Sequence, residues 1–147
     1  MRKNISYILI LVSAISLILW VLLGHVLYKD IKNDYAIKSR DGYFTAYINH
    51  IKPFNPIGVY CQITSDTPAF ISLYDKEGRY LGQSSPFTCI SAYEIANVLF
   101  PRDGKLPHEA PSPEDSLFGA AMGEHEKDME IDINNKRWWS IILTPFS

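Results

Sequence analysis

The chain has 147 residues, with 14 Lys or Arg against 16 Asp or Glu and 47% hydrophobic residues. That length suggests one compact domain plus an appendage. The composition excludes a strongly basic nucleic-acid binder and a disordered, apolar-poor chain as starting points.

The first element is the run ISYILILVSAISLILWVLLG, Ile5 to Gly24, which carries no charge and only three serines. About 20 helical residues cross a hydrocarbon core of roughly 30 Å. A helix of a water-soluble domain would show a polar face, and this run has none. Tyr7 at one end, with Trp20 and Tyr28 at the other, suit the aromatic belts of a membrane interface. A cleaved signal peptide is the rival reading, and Arg2 and Lys3 supply its basic start. Eight or so apolar residues follow the small residues Val12-Ser13-Ala14, however, and no small-x-small pattern appears near Gly24 to Tyr28. The sequence therefore favours an uncleaved anchor over residues 1–28. Four basic residues follow the run (Lys29, Lys32, Lys38 and Arg40) and two precede it. Counted strictly, the flanking charge leaves the orientation open.

Residues 29–41 read as a juxtamembrane linker, and 42–147 as the exported domain. The charge changes sign across this boundary. From Asp41 onward, eight Lys or Arg face fourteen Asp or Glu, a net of −6. The basic part suits anionic headgroups, and the acidic part suits a basic partner. After the turn signal Asp41-Gly42, Tyr43 to Ile51 is rich in aromatic and β-branched residues and predicts a strand. Ile57 to Ile63 (IGVYCQI) predicts a second strand and Ala69 to Tyr74 a third. Asp75-Lys76-Glu77-Gly78 predicts a hairpin turn, with Arg79 to Gln83 returning. Ser91 to Leu99 predicts the domain's one helix, with Ser91 and Glu94 in a capping box and Pro101 as its stop. A long loop, punctuated by Pro107, Pro111 and Pro113, runs to about Lys127. Met129 to Ile133 alternates apolar and acidic residues and predicts a strand. Arg137 to Thr144 predicts the last one. The sum is an α+β domain, mainly antiparallel β-sheet with one short helix, behind an N-terminal transmembrane helix.

Cys61 and Cys89 form no Cys-x-x-Cys pair, so zinc and thioredoxin-like readings lack support. An even pair in an exported domain favours a disulfide; two buried unpaired thiols are the alternative. His108, Glu109, His125 and Glu126 match no zinc spacing, and no nucleophile or phosphate-loop motif is present. The reading is of a protein that is not an enzyme and needs no cofactor. The remaining feature is acidic. Eight acids fall between Glu109 and Asp132, opposed only by Lys127, and they surround the small and apolar segment Ser116 to Gly123. An apolar centre with a charged rim has the anatomy of an interface. The candidate partner-binding residues are Glu109, Glu114, Asp115, Leu117, Phe118, Met122, Glu124, Glu126 and Asp128.

This layout of anchor, compact exported domain, single cysteine pair and no catalytic motif resembles the membrane-anchored periplasmic immunity proteins of Gram-negative type VI secretion systems. It is most similar to the partners of L,D-transpeptidase-like effectors. The resemblance implies a single-pass inner-membrane protein whose periplasmic domain plugs the cleft of a basic, cell-wall-acting toxin. It carries no residue-level assignments. The other class consistent with the layout is an accessory or sensory subunit of an envelope membrane complex, with Ser13, Ala14 and Ser16 as small residues for helix packing.

Overall fold

A computed structural model describes residues 2–27, 35–102, 112–120 and 125–147. The apolar run is one helix, α1 (Arg2–Leu23), which ends in a 3-10 turn at Gly24–Val26. No proline interrupts it, and long apolar side chains lose little freedom in a helix. It is exposed from Asn4 to Ile18 and becomes buried from Leu23 to Val26. The stretch Asn4–Val26 is long and apolar enough to cross a membrane.

The domain is built on an antiparallel sheet. Strand β1 (Ala36–Lys38) pairs with β2 (Phe44–His50), which pairs along its whole length with β3 (Pro68–Asp75). The far edge of β3 is shared by β4 (Tyr80–Gln83) and β5 (Ile90–Ser91). Strand β3 is buried on both faces, as its unbroken apolar run PAFISLY requires. The turn into β4 is held by Asp75, whose carboxylate accepts from the Glu77 and Arg79 N–H groups and from the Arg79 guanidinium. Burial pushes this carboxyl up, but those hydrogen bonds and the guanidinium charge outweigh it and hold it below its ordinary value. Gly78 closes the turn at φ +78°, which glycine adopts without a Cβ penalty.

Alternation along the strands creates two cores. Phe44, Ala46, Ile71 and Leu73 pack on one face with Phe100, Phe118, Ala120, Met129 and Ile131. These partners come from a second antiparallel sheet of β6 (Val98–Leu99), β7 (Leu117–Ala120) and β8 (Ile131–Asp132), with the short helix α3 (Glu126–Met129). Phe70 points to the other face and packs with Leu23, Val26, Ile51, Cys61, Trp139 and Leu143. Ile51 follows β2, and the others belong to the end of α1 and its 3-10 turn, to helix α2 (Pro56–Thr64) and to helix α4 (Trp138–Leu143). The large sheet thus separates the small sheet from the helices.

The antiparallel α+β class holds, and so do the strands at Tyr43–Ile51 and Ala69–Tyr74 and the hairpin to Gln83. Five elements differ from expectation. The loop expected to run to about Lys127 contains β7 and the start of α3, and of the strand expected at Met129 to Ile133 only Ile131–Asp132 is β8, Met129 being the end of α3. Ile57 to Ile63 is helical, because Asn55 caps it by accepting from the Gly58 N–H and Pro56 occupies its first turn. Arg137 to Thr144 contains α4, whose Trp139 and Leu143 are four apart and reach one core. Ser91 does accept a hydrogen bond from the Tyr93 N–H, but only a 3-10 turn over Ala92–Glu94 follows. Asn97, at φ +50°, ends any helical course, and Val98–Leu99 joins β7 instead. Of the expected linker, Ala36–Lys38 is β1 and residues 28–34 lie outside the described residues.

Cys61 on α2 and Cys89 before β5 are joined as a disulfide across 28 residues. Closing a loop of that length removes unfolded-state entropy equivalent to roughly 3–4 kcal/mol. Cys61→Ala with Cys89→Ala is expected to lower the unfolding free energy of the full chain in mild detergent by about that amount. An unchanged denaturation midpoint contradicts the stabilising role.

Candidate functional site

Two places on the described surface stand out: the junction where α1 enters the domain, and the acid-bearing strap of the small sheet. The junction is built by Asn55. Its Nδ2 group donates to the Trp20 carbonyl at 3.0 Å and the Val21 carbonyl at 2.8 Å. These are orphan acceptors of the kind every helix end leaves. Its Oδ1 accepts from the Gly58 N–H at 2.8 Å. One buried amide therefore closes the end of α1 and the start of α2. The same Nδ2 lies 3.0 Å from His25 Nδ1, and His25 Nε2 lies 2.7 Å from the Pro86 carbonyl. A carbonyl only accepts, so His25 carries a proton on Nε2 toward Pro86, and the two Asn55 amide hydrogens serve the Trp20 and Val21 carbonyls with Nδ1 beside them. Gly58 is needed for the approach: a Cβ there would collide with the Lys52 carbonyl and come within 2.8 Å of His25 Cβ.

Beside this junction, α2 (PIGVYCQIT) and α4 (WWSIIL) contain no charged residue. Their inner faces carry Gly58 and Cys61, and Trp139, Ser140 and Leu143. Ser140 Oγ accepts from the Gln83 N–H, and Trp139 Nε1 donates to the Gln83 carbonyl, which pins α4 to the end of β4. Their outer faces are largely apolar, with Gln62 and Thr64 of α2 also exposed. Ile63 is 79% exposed, Tyr60 62% and Ile141 60%. Phe87 meets Trp138 at 6.1 Å between ring centres.

The acid-rich segment divides. Glu109, Met122 and Glu124 lie outside the described residues, as does the side chain of Glu114. Asp115 accepts from the N–H and hydroxyl of Ser112 and so helps shape a local turn. Leu117 is half-buried, and Phe118 is fully buried, edge to face on Phe100. Residues of a strand alternate faces, so Phe118 is turned into the core and away from any surface. Glu126 is exposed, and Asp128 is half-buried with its carboxylate 3.9 Å from His125 Nδ1. The strap that carries them is fixed by its backbone. The Asp128 carbonyl accepts from the Ser85 N–H at 2.7 Å, and the Lys127 carbonyl accepts from Arg137 at 2.8 Å. Asp132 accepts from the Asn134 and Asn135 N–H groups and turns the chain after β8. Among the described residues no group of three His, Cys, Asp or Glu is placed to hold a metal ion.

The pattern of a family of unknown function, DUF6201, matches residues 2–143. The chain belongs to that family. The match takes in α1, the junction and both sheets. No curated protein and no solved structure matches the chain.

Asn55 and His25 were not among the residues singled out from the sequence. The signal was present: Asn-Pro is a cap followed by a first-turn proline, a helix start. What the sequence lacked was the partner, because Trp20 and Val21 are 35 and 34 residues away. Asn55→Ala removes an N-cap and leaves buried acceptors unpaired, an expected loss of about 2–4 kcal/mol. Asn55→Asp keeps the cap but sets a carboxylate against two carbonyls, so it is expected to rescue little. Denaturant unfolding of both variants checks this; full rescue by Asp reduces the residue to a simple cap.

Proposed function

We propose that this chain is a membrane-anchored immunity protein of the Gram-negative envelope. Its α1 helix crosses the inner membrane, and its domain lies in the periplasm. There it binds a basic, cell-wall-acting toxin and covers the toxin's cleft, without catalysing a reaction itself. The observation that carries this reading is the acid-bearing strap. Glu126 and Asp128 sit on a segment fixed by backbone bonds to Ser85 and Arg137, on the face of the large sheet opposite the junction. Charges held in place need no ordering on binding, and an acidic surface accelerates encounter with a basic partner. The Cys61–Cys89 disulfide supports an oxidising compartment.

A second reading has its own observation. Because Leu23, His25 and Val26 are core residues, the helix and the domain are one body, which suits an accessory or sensory subunit driven through its helix.

The test uses the full chain, since a fragment starting at Asp41 would lose β1 and part of the core. The chain in nanodiscs is used as bait for proteins encoded by adjacent genes, and cells producing such a toxin in the periplasm are scored for survival. Binding together with protection is expected, and neither one occurring removes the immunity reading. Glu126→Lys with Asp128→Lys should slow association roughly tenfold at low salt, with the difference shrinking at high salt. Exchanging Ile5 to Ile18 for an unrelated apolar helix should leave protection intact; its loss favours the accessory reading.

A further inference from the structure

We propose that the outer faces of α2 and α4 rest in the headgroup layer of the bilayer that α1 enters, so that the domain lies on the membrane surface with no gap beneath it. This rests on the reading of α1 as a membrane helix. The occupant of these faces is lipid, and three observations support that choice.

The first is composition. A helix at a water-facing surface carries polar residues outward. Helices α2 and α4 carry no charge there, and beside the exposed Gln62 and Thr64 they present Val59, Tyr60, Ile63, Trp138 and Ile141, all 44% exposed or more. An uncharged patch of this kind marks an interaction surface, and Trp and Tyr favour the membrane–water boundary.

The second is position. The Asn55 amide holds the Trp20 and Val21 carbonyls, which places the start of α2 against the last turns of α1. The Pro86 carbonyl meets His25, and the neighbouring Phe87 meets the Trp138 ring. Both apolar faces are therefore continuous with the base of the anchor.

The third is length. The span Asn4–Val26 has 23 residues, and a hydrocarbon core takes about 20. Packing against the domain already begins at Leu19 and Leu22. No spacer is left, so whatever packs on those leucines sits at the level where α1 leaves the hydrocarbon. Helices with apolar outer faces are stable at that level, and an acidic loop there would not be. Helix α3, which carries Glu126 and Asp128, packs through Met129 into the core of the small sheet and touches this layer only where its Lys127 carbonyl accepts from Arg137.

The experiment places the full-length Trp20→Phe protein in phosphatidylethanolamine–phosphatidylglycerol vesicles, with and without lipid brominated close to the glycerol. A Trp20→Phe, Trp138→Phe protein subtracts the signal of the buried Trp139. Trp138 is expected to lose most of its emission to the brominated lipid and to be shielded from aqueous iodide. Ile63→Glu with Ile141→Glu, at outward positions that leave the core intact, should restore iodide access. If the protein floats with the vesicles after an alkaline wash while Trp138 stays bright and open to iodide, the anchor stands and the contact is overturned. If the protein does not float, the membrane reading itself fails and the contact with it. Trp138 shielded from both quenchers, together with a cross-linked dimer, assigns the face to a second copy and overturns the proposal. Unchanged iodide access in the glutamate variant does the same.

Discussion

The structure depends on one buried amide. Asn55 accepts from the first turn of α2 and donates to the last carbonyls of α1, and it also meets His25. A helix end in a dry environment must have its carbonyls satisfied, and here the domain satisfies them. The consequence is mechanical. The last residues of the apolar helix are core residues of the domain, and Leu23 and Val26 pack with Phe70, Cys61 and Trp139. Removing the anchor removes part of the core.

That constraint organises the rest. Strand β3 is buried on both sides because it carries a different layer on each face. The face with Phe70 takes the anchor end and two uncharged helices, and the disulfide lies in that layer. The face with Ile71 and Leu73 takes the small sheet and the strap of acids. The uncharged helices and the acid-bearing α3 thus belong to different layers, joined where Arg137 at the start of α4 donates to the Lys127 carbonyl.

The differences between sequence and structure have a common cause. IGVYCQI and RWWSIILT are rich in β-branched and aromatic residues, so propensity pointed to strands. A helix is usually recognised by an apolar stripe against a polar face. In α2 and α4 large apolar residues occur on both faces and neither helix is charged, so the contrast that reveals the 3.6-residue period is missing. The strands of the large sheet were legible because their faces and turns follow local rules: alternation in Phe44–His50, and a glycine at the left-handed position of the Asp75–Gly78 turn. Phe118 was read as surface because it sits among acids, and only the pairing of β7 with β8 turns it inward.

By itself the sequence determined the apolar helix and the antiparallel α+β class, and it favoured the Cys61–Cys89 bond over two free thiols. Each depends on composition or on neighbours within a few residues. Only the tertiary structure decided where the anchor ends, because that rests on an amide some 35 residues away. It also decided which acids are displayed, since the burial of Met129 in the core sets which side of α3 faces outward. The anchor from Ile5 to Leu23 was legible as a length of apolar chain, but its role as a structural part of the domain came from packing that no local pattern encodes.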